Sequence, residues 1–297
     1  MAFRLKDRTR IAAGLQRLVR KEYGAALDEL SGADSKPDTV HEARKSLKKI
    51  RAVLRLLEPD LGSDFRAEDD RLRDASHHLA SLRDADATAE TLGTLHSRYP
   101  TVVTPQVTRS VLRGVRGAKR QARRGANGLI GRAATAVRRS QRTTPGRIRR
   151  AGRLAAVEAG LTRGYRRARK TMKRLGVDSD ATQFHAWRRR VKSHTYHVRL
   201  FEGLHGTPRG RVRSLRRLET WLGEDHNQAI LRAAILASPD RFGDARTTAV
   251  VLGCIIKRQA WLRERALKLG HRVFTAKPER FRQSARAWWR PRAGQRR

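Results

Sequence analysis

Two segments of the chain each carry a histidine followed by arginines and lysines at steps of three and four residues. The first comprises His41, Arg44, Lys45, Lys48, Arg51 and Arg55, and the second comprises His185, Arg188, Arg189, Lys192 and Arg199. At about 100° per residue, this spacing gathers cations on one side of a helix. Guanidinium and ammonium groups in such a row attract anionic oxygens, so each segment predicts an anion-binding surface.

Each row of cations requires a helix whose opposite face is apolar. Behind the first row lie Val40, Ala43, Leu47, Ile50, Leu54 and Leu57, and behind the second lie Phe184, Trp187, Val191, Val198 and Phe201. Both segments are therefore predicted to be amphipathic helices that bury one side and present the other. We expect Asp38 or Thr39 to cap the first helix after Pro37, and Pro59 to end it.

The charge of the whole chain indicates the same class of partner. Its 297 residues include 68 Lys and Arg against 28 Asp and Glu, which gives a formal net charge of +40. This excess is far larger than solubility requires, and it predicts a polyanionic partner. A disordered polycation would have no need of helical apolar spacing, so that spacing favours a folded protein.

The single cysteine and the apolar content limit the remaining possibilities. Because Cys254 is the single cysteine, the chain cannot form an intrachain disulfide or a zinc site built from several thiolates. The apolar sequence around Cys254 predicts that it lies in the core. The apolar run 250–256 is too short to cross a bilayer, and the N-terminus is charged from Arg4 onward. We expect a soluble cytoplasmic protein with no membrane partner.

The chain contains an internal repeat. Besides the two histidine segments, which are 144 residues apart, KRQA at 119–122 recurs at 257–260, and LASLRD at 79–84 corresponds to LGEDHN at 222–227. Similar offsets in the same order predict two homologous halves, at 1–142 and 143–297. We place their junction near Thr143 to Gly146, where Pro and Gly interrupt a helical pattern.

The fold class predicted from these patterns is all-α. The first half is expected to form helices at roughly 5–30, 38–58, 64–96 and 104–124, with counterparts after 150, whereas the Arg-rich stretch 125–153 reads partly as a solvated tail. Strand-like alternation is missing. The simplest arrangement is a pair of four-helix bundles about a pseudo-twofold axis.

The two histidine segments, VHEARKSLKKIRAVLRLL at 40–57 and FHAWRRRVKSHTYHVRLF at 184–201, resemble the signature helices of the CHAD family, the conserved histidine α-helical domain. RDAD at 83–86, YRRARK at 165–170 and the segment FTAKPERFRQSARAWWR at 274–290 are also similar to that family. The resemblance implies two four-helix halves around a basic central pore that binds inorganic polyphosphate, and it implies an association with polyphosphate granules.

The resemblance and the basic rows together give a set of predicted polyphosphate-binding residues. The set is His41, Arg44, Lys45, Lys48, Arg51, Arg55, Arg83, Arg116, Lys119, Arg120, Arg123, Arg166, Arg169, Lys170, His185, Arg188, Arg189, Lys192, Tyr196, Arg199, Lys257 and Arg258. Where the family usually has Arg before Tyr196 and Glu at position 199, this chain has Thr195 and Arg199. We expect binding without catalysis and no cofactor.

Other functions remain open at the level of the sequence. A nucleic-acid-binding or compacting protein would need the same charge, although aromatic residues make up only 5% of the chain and are not interleaved with the basic rows. A phosphoryl-transfer enzyme could use His41 or His185, but no Gly-rich phosphate loop or paired acids are present. The oligomeric state is not determined by these patterns.

The remaining histidines and acids have plainer interpretations. His77, His78, His194 and His197 are predicted to be structural, and His41 and His185 either contact the ligand or support the helix ends. A second group of polar residues, Asp84, Asp86, Asp225, His226 and Asn227, lacks recognisable metal-ligand spacing. We therefore expect no metal site.

Overall fold

The computed structural model describes residues 3–6, 10–32, 37–202, 204 and 209–289, and within these ranges the side chains at 37–38, 81–86, 118–119 and 121–123 are left out. The described residues are helical apart from short connections and one isolated bridge between Glu202 and Leu204. The all-α prediction is therefore confirmed for this part of the chain.

Twelve α-helices follow one another through the described residues. They are α1 Ile11–Ser31, α2 Pro37–Leu56, α3 Glu58–Leu61, α4 Ser63–His78, α5 Ala80–Arg98, α6 Pro105–Arg123, α7 Ala126–Ala151, α8 Leu154–Met172, α9 Ala181–Leu200, α10 Arg209–Ala237, α11 Ala245–Val273 and α12 Pro278–Arg286. A 3₁₀ turn, Pro239–Arg241, connects α10 to α11. None of the described helices is both long enough and apolar enough to span a membrane.

Local sequence signals fix several helix ends. Asp180 begins α9 with a capping box, in which its carboxylate accepts from the Gln183 N–H and the Gln183 side chain accepts from the Asp180 N–H. Asp244 caps α11 through the Thr247 N–H at 2.7 Å. α2 ends at Leu56, before Pro59, as the sequence predicts.

Two predictions about helix ends are wrong. The segment expected at 64–96 is two helices, because the chain turns at the buried Leu79 between α4 and α5. The stretch 125–153 is no tail: α7 continues through Pro145 and ends at Ala151, so the expected break at Thr143 to Gly146 does not exist. A proline inside a helix costs about 3 kcal/mol, and the packing of α7 against both α1 and α4 offsets this cost.

Buried side chains form two apolar clusters. The larger joins α1, α2, α3, α4, α7, α8, α9, α12, the first part of α10 and the last part of α11, and the smaller joins α5, α6, the end of α10 and the first part of α11. The long helix α10 belongs to both, with Leu218 in the larger cluster and Leu231 in the smaller. Cys254 lies in the smaller cluster, which confirms its predicted place in the core.

Candidate anion-binding site

The candidate site is arranged by the crossing of α2 and α9. The two helices contact each other, and the ring of His197 on α9 donates from Nε2 to the Ala52 carbonyl oxygen on α2 at 2.8 Å. Burial lowers the pKa of His197 to about 4, so the ring is neutral and serves as a fixed donor. His194 is also fully buried, and the structural roles predicted for these two histidines are confirmed.

The first cavity, which we call the α9–α10 cavity, has a volume of about 570 Å³. Cationic and acidic side chains share its wall, in which Lys192 Nζ lies 2.7 Å from Glu219 Oε1. Its lining is Glu90, Thr91 and Thr94 of α5, Arg188 and Lys192 of α9, and Arg216, Glu219, Thr220, Gly223, Glu224, Asn227 and Gln228 of α10.

Cations of α2 lie within electrostatic reach of this cavity. Burial, together with the charges of Lys192, Arg44 and Arg188, lowers the pKa of Lys48 to about 7. Burial also lowers the pKa of Arg188, whereas the charge of Glu219 raises it and the charge of Arg44 lowers it. Among the described residues, the buried Nε of Arg188 has no hydrogen-bond partner. Four cations from two helices thus repel one another, and of these Arg188 and Lys192 line the cavity whereas Arg44 and Lys48 do not.

A histidine pair lies beside these cations. The Nδ1 atoms of His185 and His226 are 3.0 Å apart, so one ring donates to the other. Burial, followed by the charge of Arg188, lowers the pKa of His226 to about 3. Burial and the same arginine lower the pKa of His185. Both rings are neutral near pH 7, because a further positive charge is unfavourable there.

The described residues contain no cluster of three or more side chains suited to hold a metal ion. Asp225, next to His226, is instead bound to cationic and amide groups. Its Oδ1 accepts from Arg263 Nε at 2.9 Å and from Gln259 Nε2 at 3.2 Å. This carboxylate therefore helps to hold α10 against α11.

A second cavity of about 360 Å³ lies between α2, α4, α8 and α9, and we call it the α8–α9 cavity. The C-terminal end of the first basic row faces this space. Arg51 binds Asp69 through Nε and Nη2, both at 2.9 Å, and Arg55 lies 3.4 Å from the same carboxylate. Arg189 also lines this cavity, although its neighbour Arg188 lines the other.

Other members of the predicted set near the two signature helices do not line either cavity. His41 and Lys45 are exposed, and Lys45 Nζ lies 3.0 Å from Glu42. Tyr196 is buried, and the Arg199 guanidinium lies over its ring at 5.7 Å from the centroid.

The remaining predicted residues are dispersed. Arg116 lines a third cavity between α6 and the start of α11, and Arg120 is exposed. Lys170 is exposed too. The others make specific contacts: Arg166 with Glu279 at 3.7 Å, Arg169 Nε with the Phe274 carbonyl oxygen at 3.0 Å, and Lys257 with the Tyr99 ring at 6.0 Å. The side chains of Arg83, Lys119 and Arg123 lie outside the described part.

Arg258 is buried and binds other side chains of the protein. Only 5% of it is accessible, and it binds Glu224 through Nε at 2.6 Å and Nη2 at 2.9 Å. Its guanidinium also lies over the Trp261 ring at 4.3 Å from the centroid. Through Glu224 it fixes one wall of the α9–α10 cavity from behind.

Sequence reasoning missed the contribution of α10. Arg216, Glu219, Gly223 and Asn227 follow one another at steps of three and four, which places them on one side of the helix and along one cavity. That spacing could have identified the wall. Its mixed charges made it resemble an ordinary solvated helix face.

Comparison with known proteins gives one family and one fold. The CHAD domain family matches residues 10–236. The crystal structure of the CHAD domain from the plant Ricinus communis is similar with a TM-score of 0.60 at 16% identity, over 93% of this chain and 94% of that one. PptA from Streptomyces chartreusis is similar with a TM-score of 0.63 at 18% identity, over 88% of this chain and 98% of that one. No curated protein matches the chain in sequence.

Proposed function

Since the chain belongs to the CHAD family, we propose that it binds inorganic polyphosphate in the α9–α10 cavity and carries out no chemistry on it. One observation carries the proposal. Arg44 and Lys48 of α2 and Arg188 and Lys192 of α9 are close enough to shift one another's protonation around a single space. An anion that enters this space would reduce the repulsion among these cations.

The four cations occupy equivalent positions in the two copies of the sequence repeat. Arg188 and Lys192 stand 144 residues after Arg44 and Lys48, and the charges of these equivalent residues act on one another. We propose that the two halves are related by a pseudo-twofold axis beside these residues, and that the axis follows a basic central pore. A linear polyanion that enters the pore would then meet the same donors from both halves.

The chemistry of the four cations suits a chain of condensed phosphates. The arginines offer planar pairs of donors to neighbouring phosphate oxygens, and the lysines act as point charges. A bound anion would also raise the pKa of Lys48, because it replaces repulsion by attraction. Binding is thus expected to take up protons at pH values near or above 7.

Two carboxylates of the cavity are already engaged, which supports a binding role without catalysis. Glu219 is held by Lys192 at 2.7 Å, and Glu224 is held by both guanidinium nitrogens of Arg258. A carboxylate can act as a general acid or base only when it is free to exchange a proton with the substrate. A polyphosphate-binding protein of this kind would act in the cytoplasm, at polyphosphate granules.

Charge reversal at the facing arginines tests the proposal. Arg44→Glu combined with Arg188→Glu should weaken binding of a polyphosphate of defined length by roughly 100-fold or more, because each lost charge-assisted contact is worth about 1.5–3 kcal/mol. Fluorescence polarisation at low salt measures the affinity, and circular dichroism verifies the fold.

A matched control separates a site from a general charge effect. Arg138→Glu combined with Arg139→Glu changes the net charge equally at two exposed positions of α7, and it should weaken binding only a fewfold. Equal losses in the two variants would refute the proposed site.

The net charge of +40 also suits nucleic acid. Competition distinguishes the two ligands: duplex DNA at equal charge concentration and matched salt should fail to displace polyphosphate. Displacement would favour the nucleic-acid function, and release of orthophosphate from polyphosphate would indicate an enzyme.

A further inference from the structure

The α8–α9 cavity contains an excess of positive charge that the proposed polyphosphate site does not use. Its lining comprises Arg55, Glu58, Phe65, Asp69, Arg163, Gly164, Arg167, Arg189, Arg190, Ser193 and His197. Five arginines thus face two carboxylates, an excess of three positive charges within about 360 Å³. Such an excess in a confined space is unfavourable unless an anion enters it.

Contacts within the protein occupy some of these arginines. Arg167 makes a two-pronged pair with Glu58, through Nη1 at 2.6 Å and Nη2 at 3.2 Å. Arg163 donates from Nη2 to the carbonyl oxygens of Arg55 and Leu56, at 3.0 and 3.3 Å, and so closes the C-terminal end of α2. These contacts fix the guanidinium groups of α8 at the wall of the cavity.

Arg189 and Arg190 remain available to a ligand. Neither has a carboxylate within ion-pair distance among the described residues, and both are exposed. Burial and the charges of Arg167 and Arg189 lower the pKa of Arg190, whereas Glu58 opposes this shift only in part. Two guanidinium groups at the mouth of the cavity therefore lack a counter-charge.

The opposite end of the cavity is closed. α8 approaches α9 at Gly164, where a Cβ atom would lie 2.9 Å from Nδ1 of His197, and His197 itself is buried. A space with arginines at its mouth and a buried end suits a compact anion better than a long chain that must pass through.

We propose that the α8–α9 cavity is a second anion site, for a short condensed phosphate such as pyrophosphate. Two terminal phosphoryl groups together carry about three negative charges near pH 7, which matches the excess charge of the lining. Guanidinium groups from α8 and α9 would each donate two hydrogen bonds to the phosphoryl oxygens. The site is separated from the α9–α10 cavity by α9, and it does not depend on the proposed polyphosphate function.

Neighbouring residues on α9 provide the test. Pyrophosphate binding is measured by isothermal titration calorimetry at low salt with the full chain. Arg189→Gln combined with Arg190→Gln should weaken it about tenfold, as expected for the loss of two contacts at exposed arginines, where solvent screens the charge. Arg138→Gln combined with Arg139→Gln removes the same charge from two exposed positions of α7, and it should leave pyrophosphate affinity within about twofold.

Binding of long-chain polyphosphate should instead depend on Arg188 and Lys192, which line the α9–α10 cavity. Absence of pyrophosphate binding to the unmodified chain, or equal losses in the two variants, would overturn the second site. Sulfate at the same ionic strength should compete poorly, and equal competition would overturn the assignment to condensed phosphate. Failure of polyphosphate to bind would refute the proposed function and leave the pyrophosphate result to decide this site separately.

Discussion

Substitution of Lys48 tests whether the cations beside the α9–α10 cavity repel one another. Its ammonium group lies mostly buried beside Lys192, Arg44 and Arg188, and its pKa falls from 10.5 to about 7. Lys48→Met keeps the length and apolar body of the side chain and removes the charge. We therefore expect this variant to be more stable than the unmodified protein at pH 6, and to lose much of its affinity for polyphosphate.

The sign and size of the pH effect follow from linkage. The unfolded chain retains the Lys48 proton up to pH 10.5, whereas the folded chain releases it near pH 7, so stability rises with pH between these values. For a group with these two pKa values, the free energy of unfolding increases by about 2 kcal/mol from pH 7 to pH 9. In Lys48→Met this increase should disappear. Below pH 7, the destabilisation by the charged lysine is present in full.

Urea unfolding at pH 5, 7 and 9 under matched ionic strength measures the effect. Lys45→Met is the control, since Lys45 lies on the same helix, is exposed and pairs with Glu42. It should retain the rise from pH 7 to pH 9. If Lys48→Met also retains that rise, or is less stable than the unmodified protein at every pH, the facing cations do not interact as described.

Three further results are expected. Glu68, 1% accessible, accepts hydrogen bonds from Ser140 and Arg147 of α7 at 2.7 Å each, so Glu68→Ala should lower the free energy of unfolding by about 3 kcal/mol in urea titrations. Gly160→Ala would place a Cβ 1.7 Å from the Leu56 carbonyl oxygen and should cost about 3 kcal/mol or prevent folding, as followed by circular dichroism. Polyphosphate at ten times its Kd should stabilise the protein by about 1.4 kcal/mol, and an unchanged melting temperature would contradict binding to the native state.

The sequence predicted the helices of the two basic rows well, because their apolar spacing is regular, although α2 begins at Pro37, before the expected caps Asp38 and Thr39. α2 and α9 lie where that spacing places them. It failed at α7, where Pro145 and the charge suggested a junction and a tail. Local preference there is overridden by burial of Ile130, Val137 and Ile148 against neighbouring helices, which no local signal reports.

By itself, the sequence determined which chemical groups the protein carries: an excess of cations, two matching basic rows and an all-helical chain. Only the tertiary structure decided which cations act together. Arg188 and Arg189 are adjacent and chemically identical, yet they point about 100° apart on α9 and line different cavities. Composition fixes the sum of the charges, but electrostatic interaction depends on distance and burial, and the crossing of α2 and α9 sets both.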